Sequence, residues 1–171
     1  MAFWGKDKLK ESDAAKGFVS YIAEHFQNDW KETANKLKTI FPSGDLIFND
    51  GRTPTEFFFA VVAVQTQALH NLLPTDQANR IREYIIEGIS HPELGEYPRQ
   101  VIQEYQIAWN RSLQRHENPS IAIADVLWGK IAGDSTDSIN GPLHLTILSS
   151  TIVNFCGFWW KACTNKFKIV P

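Results

Sequence analysis

Acid–base, nucleophilic or metal chemistry needs imidazole, thiol or carboxylate groups held in pairs. This chain has five histidines, two cysteines and nineteen Asp or Glu residues to supply them. Glu87 and His91 stand four apart, the spacing that brings two side chains together on one helix face, and form half of an acid–base or metal site. The other half is missing. No histidine follows a Glu by three residues, as a di-iron bundle requires, and HExxH does not occur. The pair is therefore read as a solvated helix end. His25 and Asp29 repeat the spacing across an expected helix junction, and His116 lies beside Arg115 and Glu117 on polar surface. His70 falls in an apolar run as a hydrogen-bonded core residue. His144 opens a helix, where the positive dipole end favours neutral imidazole.

Arg52, Thr53 and Thr55 form the best candidate anion site, at the start of an apolar helix whose free N–H groups suit a carboxylate or phosphate. The same residues also read as a Thr53–Glu56 capping box with Arg52 paired to Asp50, and that explanation is preferred. The loop 133–141 fails as an EF-hand. Thr136, Ser138 and Asn140 stand before Gly141 where acidic ligands belong, and Ile147 replaces the closing Glu. P-loop, GxSxG, CxxC and GxGxxG motifs are absent. No catalytic residue, metal or cofactor is expected. An enzymatic reading would rest only on Arg52, Glu87 and His91 as dispersed candidates.

The aromatic residues are the stronger signal. Six Trp and eleven Phe are present, and both ends of the chain combine rings with lysines. Phe3 and Trp4 accompany Lys6, Lys8 and Lys10, while Trp159, Trp160 and Phe167 accompany Lys161, Lys166 and Lys168. Such rings serve as interface anchors or as peripheral membrane contacts. The alternative is that they pack on the core while their lysines snorkel. Residues 143–160 have no charged group, but Thr146, Ser149, Ser150, Thr151 and Asn154 argue for a buried helix over a membrane span. The net charge of −2 argues against a nucleic-acid binder. Both ends are basic, whereas residues 11–137 hold eleven Lys or Arg against eighteen Asp or Glu. The ends could dock on this acidic middle or face an anionic surface.

The elements that must position these groups are helical. Helices are expected over about 13–26, capped by Ser12, and from Asp29, with an Asp29–Glu32 capping box, to Phe41. A short extended Leu46–Ile47–Phe48 between two turns follows. Pro54 at the first helical position opens FFFAVVAVQTQALHNLL, apolar almost all round and hence central. Thr75 caps a helix with Ala78, Ile81, Ile85 and Ile89 inward, ending near His91. Pro98 opens the next, to about Arg115; Asn118 and Pro119 open another; and Pro142 starts a last helix reaching Cys163. On one helix Cys156 and Cys163 would lie about 10 Å apart, beyond disulfide reach, so both are expected as free buried thiols. The opening MAFWGKDKLK has no apolar core of a signal peptide, which predicts a cytoplasmic protein.

The expected fold is an all-α single domain over residues 1–171, a bundle or orthogonal array of about seven helices around the central apolar helix 54–72. Residues 1–11 are expected to form a flexible or docking arm. The leading functional expectation is a soluble, non-enzymatic protein-interaction module, with self-association as one form. The rivals are a binder of a small apolar ligand in a pocket lined by some of Phe57, Phe58, Trp109, Trp128 and Phe155, and a peripheral membrane protein.

Overall fold

In the computed structural model, which describes residues 6–41, 44–90, 97–132, 142–155, 157 and 159–171, the apolar run becomes the pivot of the fold. In chain order the elements are β1 Asp7–Lys10, α1 Glu11–Ile40, α2 Gly44–Asn49, α3 Thr53–Leu72, α4 Thr75–Ile89, α5 Tyr97–Ser112, α6 Pro119–Ala132, α7 Pro142–Phe155, α8 Trp159–Lys166 and β2 Phe167–Val170. The architecture is all-α, with eight helices and one two-stranded sheet among the described residues. Helix α3 touches α2 and every helix from α4 to α8. It can do so because Phe57, Phe59, Ala60, Val61, Val62, Ala63 and Leu69 offer apolar surface in all directions. The remaining helices bury one stripe each, such as Ala78, Ile81, Ile85 and Ile86 of α4.

Three expectations need correction. The two helices expected before Phe41 are one. No Gly or Pro interrupts residues 26–32, and Asp29 accepts from His25 Nδ1 at 2.6 Å across a continuous turn without capping a new helix. Phe26 stacks on Trp30 at 5.3 Å across the expected junction, and Glu32 pairs with Lys36 at 2.6 Å just beyond it, both at i,i+4 spacing. Ser12 thus lies inside α1, whose N-cap is Lys10. The stretch expected as extended is helical: α2 turns Ile47 and Phe48 inward, with Phe48 against Phe41 at 5.6 Å. The last expected helix is two, α7 and α8. At Gly157 the backbone folds so closely on the preceding turn that a Cβ would stand 2.5 Å from the Val153 carbonyl oxygen. Cys163 is free and buried, and Cys156 lies outside the described residues.

Of the segment 1–11, expected as a flexible or docking arm, residues 7–10 are docked. Segment 7–10 pairs in parallel with 167–170, in the register Asp7↔Phe167, Lys8↔Lys168, Leu9↔Ile169 and Lys10↔Val170. Glu11 locks the pair to α4. Its carboxylate, 2% exposed, accepts from Arg80 Nε and Nη2, each at 2.8 Å, and from Gln77 Nε2 at 3.1 Å. Gln77 Nε2 also donates to the Ile169 carbonyl at 3.1 Å. The basic ends therefore pair with each other, and Glu11 and Gln77 tie them to α4.

Candidate functional site

The pairing of β1 with β2 creates a cleft. Ala14 and Gly17 on α1 and Ala162 on α8 are too small to fill the space between their helices, so Leu9, Trp159 and Phe167 become walls of an open, almost wholly apolar cavity of about 340 Å³. Trp159 stacks on Tyr21 at 4.8 Å and lies over Gly17, where a Cβ would come within 3.1 Å of the indole. Glycine inside a helix costs about 1 kcal/mol relative to alanine, and here it admits the indole. Cys163 lies at the floor, and burial pushes its thiol above the ordinary range, which makes it a poor nucleophile. Asp13 and Lys166 edge the cleft, and the Lys166 ammonium sits 5.3 Å from the centre of the Phe167 ring.

The outer face of the same strand pair is basic. Alternation along an extended strand places Lys6, Lys8 and Lys10 on one side, and the register sets Lys168 beside Lys8. All four are exposed. Lys6 Nζ donates to the Thr164 carbonyl, while Lys8, Lys10 and Lys168 make no ion pair among the described residues.

Trp159 and Phe167, both partly exposed, line the cleft. Trp160 does not. It is 2% exposed and packs on Phe18 at 5.2 Å, so this expected anchor is a core residue. Phe3 and Trp4 lie outside the described residues. Of the five residues expected among the lining of a pocket, Phe57, Phe58 and Phe155 pack with Phe26 at ring distances of 5.1–6.2 Å, and Trp128 stacks on Phe41 at 5.2 Å. Trp109 borders a cleft beside α3, and Phe155 borders an open one beside α1.

The anion candidate is satisfied internally. Arg52 donates from Nε and Nη2 to Asp50 Oδ2 at 3.1 and 2.8 Å, and its backbone N–H reaches Asp50 Oδ1 at 2.8 Å. The guanidinium holds the Asp50 carboxyl below the usual carboxylate range. Thr53 is no cap: its hydroxyl donates to the Ile47 carbonyl, and Arg52 takes the N-cap position. Glu56, the expected partner of Thr53, instead accepts from the Tyr105 hydroxyl at 2.8 Å. Thr55 is exposed. Thr75 likewise opens α4 without a side-chain cap, Pro74 preceding it. Glu87 is exposed, and His91 and the loop 133–141 lie outside the described residues.

Two polar clusters arise from contacts that sequence spacing does not reveal. Asp125 accepts from Ser112 Oγ at 2.8 Å and Arg115 Nη2 at 2.9 Å, with His116 Nε2 at 3.4 Å, and so ties α5 to α6. Ser112 is buried, and its hydroxyl donates to the Asp125 carboxylate and not to His116. The second is the buried Glu11 cluster. His70 is half-buried and makes no side-chain hydrogen bond among the described residues, contrary to expectation. No three His, Cys, Asp or Glu among the described residues converge as metal ligands, and no described helix is long and apolar enough to cross a membrane. Compared with known proteins, the chain matches no family model, no curated protein and no solved structure, so what it does must be argued from these residues.

Proposed function

We propose that this chain is a non-enzymatic interaction module that engages an acidic protein segment through its paired basic ends. The observation that carries the reading is the parallel pairing itself, which turns a stripe of lysines to its outer face and leaves an apolar cleft walled by Trp159 and Phe167 on the other, with Lys166 at the cleft's edge. A concave apolar cleft receives a protruding side chain, and the cations at its edge and on the neighbouring face attract the partner's carboxylates. A bilayer offers no such knob, which favours a protein partner over a membrane. Self-association is one form of the reading, since residues 11–137 of a second copy carry excess acid.

The test is a titration with two synthetic peptides of alternating Glu and Ser, one with a central Phe and one with a central Ser. The module binds the first saturably and the second weakly, and Ala162→Glu, which puts a carboxylate in the cleft, abolishes the difference. Equal binding of both peptides overturns the cleft's role. Binding to phosphatidylserine vesicles without binding to either peptide replaces the reading with a membrane one. A wild-type dimer that dissociates in the Ala162→Glu variant selects self-association.

A further inference from the structure

A second cleft lies on another side of the molecule, about 460 Å³ in volume and half open to solvent, between α3, the α5–α6 turn and the α7–α8 junction. Its body is apolar, made by Val64, Ala68, Trp109 and Val153, and Leu72 and Leu113 flank it, 44% and 38% exposed. One buried polar group on this cleft lacks a partner: the indole N–H of Trp160 is unsatisfied. Gln65, 5% exposed, offers the cleft an amide that makes no side-chain hydrogen bond among the described residues. Buried polar groups in folded proteins are nearly always paired, so an orphaned indole N–H beside an unengaged amide marks where a bound ligand would find partners. Trp109, by contrast, already donates to the Pro119 carbonyl at 2.9 Å and serves as wall.

Among the described residues the charge around the cleft has one sign: no Asp or Glu lines it, and Lys161, without an ion pair among them, stands at its edge. Pro119 and Ser120 of α6, and Trp160 and Lys161 of α8, bring the first turns of two helices to the same space, so two positive dipole ends border it. We propose that this cleft binds a small amphipathic monocarboxylic acid, its hydrocarbon body along Val64, Ala68 and Trp109 and its carboxylate towards Lys161 and the α6 and α8 first turns. The site is separate from the basic face and holds whether or not an acidic partner binds there.

The experiment is an amide and indole NMR titration with decanoate, and with decan-1-ol as the uncharged match. Decanoate shifts the Gln65 side-chain and Trp160 indole signals and binds about tenfold tighter than decan-1-ol, as a charge-assisted contact predicts. Lys161→Gln removes most of that preference. Ala68→Trp fills the cleft and abolishes binding. Because Ala68 is partly buried, Leu113→Trp at the mouth is the second filling variant, both being checked for an unchanged far-ultraviolet spectrum. Absence of shifts at Gln65 and Trp160, equal affinity for the alcohol, or undiminished binding by a folded filled variant overturns the assignment.

Discussion

Glu11 shows how one residue can carry the closure of the fold. Its carboxylate is buried, and the Arg80 guanidinium that donates two hydrogen bonds to it holds its pKa below the ordinary value, against the opposing effect of burial. Glu11→Gln breaks this charge-assisted pair and is expected to cost about 1–3 kcal/mol at neutral pH, read by urea unfolding. The sign of the pH dependence follows from the depressed pKa. The contribution is complete above the ordinary glutamate range and is lost as pH falls through the folded value, so the gap between wild type and variant narrows in acid. Tyr105 runs the other way. Burial, aided by the Glu56 carboxylate, pushes its phenol far above the usual tyrosine range. Ultraviolet titration should show it un-ionised until alkaline unfolding, and Tyr105→Phe should cost about 1 kcal/mol by removing the donor to Glu56.

At the level of elements, the helix boundaries that were legible are those marked by backbone chemistry. Pro54 and Pro98 lie in first turns as expected, and Asn118 caps α6, its Oδ1 accepting from the Ser120 N–H at 2.9 Å. What misled were side-chain patterns that serve two purposes. Asp29 three residues before Glu32 looks like a cap, yet both make i,i+4 pairs inside α1. Leu46-Ile47-Phe48 is too short for periodicity to separate strand from helix. The α7–α8 break was written only as one glycine in an apolar run. Gly157→Ala is expected to destabilise by about 1–3 kcal/mol, because its Cβ meets the Val153 carbonyl and the junction must strain. A thermal melt of the variant checks this, and an unchanged midpoint would contradict it.

Over the whole molecule, the unreadable part was the long-range pairing. Residues 7–10 hold a single apolar residue, Leu9, so their pattern did not reveal a strand within the segment expected as a flexible or docking arm. Their partnership with 167–170 depends on α1 and α8 bringing the two together. That same closure converts two modest charge clusters into one basic face and buries Trp160 while leaving Trp159 and Phe167 at a cleft. Which aromatic ring of the ends stays accessible is decided by this packing and not by the sequence pattern. Cys163 supplies a native reporter. Buried in the floor of the cleft with a raised pKa, it should react slowly with a maleimide in the folded protein and more slowly still when the acidic Phe peptide is bound.

The most direct test of the central claim is the salt dependence of that peptide's binding, measured by fluorescence anisotropy on the wild type and two variants. Affinity should fall as ionic strength rises, the fall should flatten in Lys8→Glu with Lys168→Glu, and Ala162→Glu should weaken binding at every salt concentration. A wild-type affinity indifferent to salt, or variants that bind the peptide as the wild type does, would contradict an acidic partner at the paired ends.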